Sequence, residues 1–441
     1  MVSLLGVLTG CVSSSPRRPA VAARLEERTG HQLGVATKPA ERSVPASVNL
    51  EDGISQDEAV ALALWNNAGF HEALTKLGFS RADVLQAGLL ANPTLSVLFP
   101  LGPKQLEYTL ALPLEAAWLR PRRVALAQIE EQRVAESLVQ NGLDLIRDVK
   151  HAYSDWVLAN DRLRLARDAA QLQSRIAELA EARLKAGDIS ELETATARID
   201  AARAREEIRR LATDVTVARE RLRTLAGLGF LDRPCDFSDT PASPDTHREV
   251  GELLKQARAA RPDLRAAELG LEAAGKRAGL AKAEIFTLSA VLDANTKGRE
   301  GHELGPGVQL PIPVFNRNQA GRARAQAELE RAAWDYVAVK ERIELEVSEA
   351  HTRLRQAREA LAAWRREIVP PLEENVRQAE KAYQAGATSL LLVYENTRQL
   401  NTARLREMEA AAELRRARAE LERSVGRRLD SELQLKAPRS P

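Results

Sequence analysis

No stretch of about 20 consecutive apolar residues occurs in this 441-residue chain, so helices that span a membrane are excluded. Aromatic residues make up only 4% of it, although 44% is hydrophobic, and cysteine is confined to Cys11 and Cys235. The six histidines (His31, His71, His151, His247, His302 and His351) show neither HxxxH nor HExxH spacing. With two methionines besides, no cluster has metal-ligand spacing, so no metal site and no cofactor is expected; a metal cargo would be passed rather than held. Charge of either sign is not in excess, with 64 Lys+Arg against 62 Asp+Glu. Nucleic acid is therefore not expected as a partner, because phosphate binding needs a basic face. Gly305-Pro-Gly307 has no helix after it, which rules out a phosphate loop. No catalytic constellation stands out, and the chain does not read as an enzyme.

What the chain does have is helical periodicity, twice over. From about Arg122 to Leu184 there is no proline and one glycine, Gly142. Apolar or small residues recur at Leu138, Gly142, Leu145, Val149, Ala152, Trp156, Ala159, Leu163, Ala166 and Ala170. This alternation of four and three is the 3.5-residue period of helices that supercoil around a partner. At a rise of 1.5 Å per residue such a helix is roughly 90–95 Å long, more than a globular core needs. A second copy reads Ile343, Val347, Ala350, Leu354, Ala357, Leu361, Trp364, Ile368. Pro113/Pro311 and Val149/Val347 differ by 198, whereas Gly187/Gly386, Ser190/Ser389 and Gly227/Gly426 differ by 199. That is the mark of a duplicated unit after drift. Alternating Arg and Glu between Arg203 and Arg210 read as a solvated face.

In chain order, Leu8-Thr-Gly-Cys11 resembles the lipobox at which bacterial lipoprotein signal peptides are cut, with Cys11 acylated. The alternative is a short apolar leader with an incidental cysteine. No Lys or Arg precedes the apolar run, which leaves an upstream start or a clipped leader open. Val12 is not the aspartate associated with inner-membrane retention, so the motif points to the outer membrane. Residues 1–11 are thus expected to be a signal peptide and 12–53 a tail. A first repeat follows over 54–230, a loop with an incidental Cys235 over 231–245, a second repeat over 246–426, and a C-terminal tail over 427–441. Ser55–Glu58 and Thr246–Glu249 have the spacing of capping boxes that open each repeat. A period of two then replaces the helical one. Leu95, Val97 and Phe99 alternate with more polar positions, as do Tyr108, Leu110 and Leu112. The second repeat offers Phe286–Thr296 and a strand from Gly307 to Leu310 that Pro306 is expected to cut short. Four strands are too few to close a barrel, so several chains must contribute.

Helix, strand pair, long helix, glycine turn and helix, repeated over about residues 54–426, resemble the TolC-like outer-membrane efflux protein family. The residues that carry the resemblance are Asn92-Pro-Thr-Leu95, Val149-Lys-His-Ala-Tyr153, Ala186-Gly-Asp-Ile-Ser190, Leu225-Ala-Gly227 and Tyr383-Gln-Ala-Gly-Ala-Thr-Ser389. Pro311-Ile-Pro-Val-Phe-Asn-Arg-Asn-Gln319 is similar to the segment after the last strand in the heavy-metal efflux branch; Pro113-Leu-Glu-Ala-Ala-Trp-Leu-Arg120 departs from that branch, which usually has glycines there. The resemblance implies a mainly α fold with a small β part: a coiled α-helical barrel plus four transmembrane strands per chain, closing as a 12-stranded barrel in a homotrimer. It implies a passive outer-membrane channel of a tripartite pump, with a periplasmic adaptor and an inner-membrane resistance-nodulation-division pump as partners besides outer-membrane lipid. Heavy-metal cations are the expected cargo, with drugs or type I protein secretion as alternatives. The turns Gly187/Ser190 and Gly386/Ser389 would dock the adaptor. The gate would lie nearby: of the family's two acidic positions, one is Leu392 here and the other Glu395, with Glu193 a second candidate and Tyr383 hydrogen-bonding a neighbouring helix. A spacer lipoprotein of plain coiled coil explains the heptads but not the hairpins. A periplasmic adaptor has one helical hairpin, whereas this chain is duplicated.

Overall fold

Heptad patterning becomes two very long helices in the computed structural model, which describes residues 17–34, 42–99, 106–229, 236–238, 248–296, 301–385 and 387–429. In chain order these are α1 (Arg17–Thr29), α2 (Gln56–Asn66), α3 (Ala68–Leu74), α4 (Lys76–Gly88), β1 (Thr94–Leu98), β2 (Leu106–Pro113), α5 (Glu115–Ala186) and α6 (Glu191–Leu225). The second half repeats the order with α7 (Val250–Ala260), α8 (Pro262–Ala283), β3 (Ser289–Thr296), β4 (His302–Gln309), α9 (Gln319–Ala363), α10 (Val369–Gln384) and α11 (Leu390–Val425). A π-turn over Trp364–Ile368 joins α9 to α10, just ahead of Pro370 and Pro371, neither of which can donate to a regular α-helical ladder. Leu138, Val149, Leu163, Ile343, Val347, Leu354 and Leu361 are all buried, as the 3.5-residue seam requires.

Several local features go beyond what the sequence indicated. α5 begins at Glu115 with Pro121 inside it, where Arg123 Nη2 donates to the Ala116 carbonyl (3.5 Å) in the turn the proline weakens. The early helices break at Asn67 and Thr75; Asn67 accepts from the Phe70 N–H (2.9 Å) and so starts α3. Part of the expected tail is α1, with Val21 and Leu25 fully buried. β4 runs straight through Pro306, which pairs with Leu292; within the chain β4 is an edge strand, a place where a sheet tolerates a residue without an N–H. The capping box at Ser55 forms in full, but α7 starts at Val250, later than a cap at position 246 would place it, and Thr246 lies outside the described residues. Cys11, Cys235 and Gly386 also lie outside them.

Two compact units, 1–23 with 72–140 and 261–342, and 24–71 with 141–260 and 343–441, each draw on both repeats. In the first, Leu126 and Ile129 of α5 pack on Leu269 and Ala273 of α8, and Arg277 reaches both Glu130 (3.0 Å) and Glu328 (3.3 Å). Asn318 turns the chain into α9 with φ 54°, its amide donating to the Ala281 carbonyl (2.9 Å). In the second, Tyr153 is buried against Trp156 and Phe237, and its hydroxyl donates to the Ser238 carbonyl. Lys150–Glu422 (2.5 Å), Arg162–Glu409 (2.6 Å) and Arg423–Asp144 (2.8 Å) bind α5 to α11.

Candidate channel wall and helical tip

The four strands form one antiparallel sheet in the order β1-β2-β3-β4. Its register sorts the side chains onto two faces, one mainly apolar and the other mainly polar. Leu95, Leu110, Leu292 and Pro306 share one row; Val97, Tyr108, Ala294 and Leu304 the next; Leu112, Ala290 and Val308 a third. Every residue of these rows is apolar or aromatic, yet Leu304 and Val308 are 65% and 72% exposed, so no described residue covers this face there. The other face carries Ser96, Thr109 and Asp293 in one row, Leu98, Glu107, Asn295 and Glu303 in another and Thr94, Ala111, Val291 and Gly307 in a third, with Thr109 Oγ1 donating to Asp293 Oδ1 (2.7 Å). Among the described residues β1 and β4 each leave one edge unpaired.

The helix turns are built by capping chemistry. Gly187 has φ 82°, its N–H donates to Leu184 O (3.0 Å) and that of Asp188 to Arg183 O (3.0 Å), which is a Schellman closure of α5. Ala387 N–H donates to Ala382 O (2.8 Å), the same bond 199 residues on. Ser190 then caps α6: its Oγ accepts from Glu193 N–H (3.2 Å) and Glu193 Oε2 accepts from Ser190 N–H (2.9 Å). Those bonds, the backbone one foremost, hold the Glu193 carboxyl below its usual range. Ser389 occupies the corresponding cap of α11 without a side-chain bond; the Leu392 N–H donates to the Ser389 carbonyl (3.2 Å), and Leu392 has no carboxylate to return the bond that Glu193 makes. The structure thus places Glu193 and Leu392 at equivalent positions.

Within the chain Tyr383 meets α5 through its ring, with Arg183 5.8 Å over the centroid, a cation–π contact. Glu395 is not a free carboxylate. Arg398 grips it with Nη2 (2.7 Å) and Nε (3.1 Å), and Gln399 adds a third donor (3.3 Å), so the Arg398 bonds above all hold its pKa down. Arg398 and Tyr394 also line a cavity of about 530 Å³ beside Arg162, Glu207 and Arg210. Sequence reasoning missed Leu192 and Leu391, 78% and 73% exposed and 199 residues apart in the first turns of α6 and α11. The repeat offset, applied to apolar residues after each cap, would have found them. Among the described residues no group of three or more His, Cys, Asp or Glu is placed to hold a metal ion.

A sheet apolar on one face and polar on the other, fed by long heptad-patterned helices, defines a class: channels that cross an outer membrane on strands and continue as helices. The chain belongs to the outer membrane efflux protein family, whose model matches residues 104–228 and 253–427. It is similar to the cobalt-zinc-cadmium resistance protein CzcC of Cupriavidus metallidurans, 23% identical over 381 residues that span 85% of this chain and 90% of that one. Over 321 residues it is 28% identical to the pyoverdine export outer membrane protein OpmQ of Pseudomonas aeruginosa, covering 69% of this chain and 64% of the relative. In fold it is similar to CusC, with a TM-score of 0.70 at 18% identity over 90% of this chain and 99% of the other. Family membership places the chain in the outer membrane as an efflux channel.

Proposed function

We propose that three copies of this chain form the outer-membrane duct of a tripartite pump that exports heavy-metal cations. The observation that carries this reading is the sheet with three successive apolar rows that no described residue covers and two edges unpaired among the described residues. Such a sheet is stable in a bilayer only when closed, because unpaired backbone groups cannot be left in hydrocarbon. Three copies pair β4 of one chain with β1 of the next and give twelve strands. The polar face with Asp293, Glu107 and Glu303 then lines the lumen, and the long helices continue the duct into the periplasm. There Gly187, Ser190, Gly386 and Ser389 shape the turns that an adaptor grips, with Leu192 and Leu391 as apolar contacts, and the adaptor links the duct to an inner-membrane resistance-nodulation-division pump. Tyr383 with Arg183, and Glu395 with Arg398, hold the tip. The likeness to CzcC supports metal cations as cargo, and a lipid on Cys11 would tether the N-terminus. Native gels of detergent-solubilised protein should show a trimer that heat converts to monomer. A deletion strain should become sensitive to cobalt, zinc and cadmium; sensitivity to organic toxicants alone, with normal metal tolerance, would reject the metal assignment and leave the duct.

A further inference from the structure

At one end of the sheet Pro113, Ser289 and Gln309 share a row, and the chain leaves all three strands there towards helices. Just past that row lie Trp118, Phe286, Ile312 and Phe315, exposed at 43%, 60%, 78% and 92%. The charge balance of the whole chain breaks down at this place. Residues 113–129 and 310–327 together hold six arginines and one acidic residue, Glu115. That carboxylate already accepts from the Leu288 N–H (3.1 Å). Arg120, Arg122, Arg317 and Arg322 have no carboxylate partner among the described residues, whereas most arginines of the helices are ion-paired. The last row of the uncovered apolar strand face, Leu112, Ala290 and Val308, is one residue from the Pro113 row. These exposed apolar side chains therefore lie within four to seven residues of it along the chain.

We propose that this end of the sheet is a rim that binds anionic phospholipid, with Trp118 and Phe315 in the acyl boundary and Arg122 and Arg317 on the headgroup phosphates. The proposal rests on the reading of the chain as a membrane channel. Two observations select a lipid surface over a protein partner. The apolar residues lie within a few positions of the last row of a face that hydrocarbon would already cover, and amphipathic Trp beside Arg with no carboxylate partner is the composition of a membrane–water interface. An excess of unpaired guanidinium further favours an anionic over a zwitterionic headgroup, because each cation near the surface adds attraction to net negative lipid. The two copies of the repeat contribute one aromatic-arginine segment each, so a closed barrel would carry the rim all the way round.

The full-length protein, reconstituted in phosphatidylcholine vesicles doped with brominated phosphatidylglycerol or brominated phosphatidylcholine at equal mole fraction, tests this directly. Trp118 quenching is taken as the difference between wild type and Trp118→Phe. Brominated phosphatidylglycerol should quench Trp118 more strongly, reflecting a local enrichment of about five-fold per arginine engaged. Arg122→Gln with Arg317→Gln should remove the difference, and Arg122→Lys with Arg317→Lys should keep it. Equal quenching by both lipids in the wild type, or a preference untouched by the glutamine pair, overturns the rim. Conductance of the same vesicles separates the two readings: conductance with equal quenching rejects the rim alone, whereas no conductance from wild type rejects the channel and the rim with it.

Discussion

Glu395 stands with its cation already beside it, and that changes what a ring of three such residues does. With Arg398 holding both carboxylate oxygens, such a ring would carry little net charge. Removing the carboxylate leaves three unpaired guanidinium groups, so Glu395→Gln is expected to move reversal potentials under a KCl gradient towards anion preference, and Arg398→Gln towards cation preference. Identical selectivity in both variants would place this pair away from the constriction. His31 makes a second residue-scale prediction. Burial lowers its pKa from 6.5 to about 4 against the opposing pull of Asp57. Its folded-state pKa lies below the unfolded one, so the unfolded chain takes up the extra proton: stability is whole above 6.5 and is lost as the pH falls towards 4. At pH 5 the loss is about 2 kcal/mol. His31→Gln should therefore show a smaller fall in Tm between pH 7 and pH 5 than wild type.

Among the elements, the long helices were legible because a 3.5-residue period buries one seam whatever the neighbours, and Val149, Leu163, Val347 and Leu361 are all buried. Local chemistry that depends on a contact was not legible. Nothing near Pro306 says that β4 lies at an edge, and nothing near Trp364 says that the ladder there loosens to a π-turn. Likewise the pairing of Glu395 needed only a view of Arg398 one turn on, but position alone does not say which of Arg398 and a solvated face wins. The two kinds of glycine turn also separate at this scale. Both Gly187 and Gly227 have positive φ, 82° and 69°, but a Cβ at Gly187 meets nothing within 4 Å and one at Gly227 lies 2.5 Å from the Asn66 backbone. Gly187→Ala should cost about 1–2 kcal/mol, and Gly227→Ala clearly more, in thermal unfolding of the detergent-solubilised protein. At the turns themselves, Leu192→Ser and Leu391→Ser should each remove about 1.5–3 kcal/mol of apolar contact with an adaptor. Crosslinking yield to the adaptor should drop in both while the trimer band persists.

For the molecule as a whole, the alternation of the hairpins announced two faces, but only the register showed that eleven residues from four strands make one uninterrupted apolar surface. That surface predicts opposite outcomes at adjacent positions. Leu110→Arg should lower the yield of folding into vesicles, at about 2–4 kcal/mol near mid-bilayer, whereas Thr109→Arg, which faces Asp293, should fold nearly as wild type. Equal losses would mean that the sheet does not present these faces to lipid and water. The duplication also reaches further than packing. A trimer would present six turns in a ring, and their backbones follow the same bonds, from Asp188 to Arg183 and from Ala387 to Ala382. Yet three of them are closed by the Glu193 carboxylate and three present Leu392 in its place. A ring of identical adaptor subunits would thus find two alternating kinds of seat, and calorimetric titration should resolve two classes of site, three of each, instead of six equal ones.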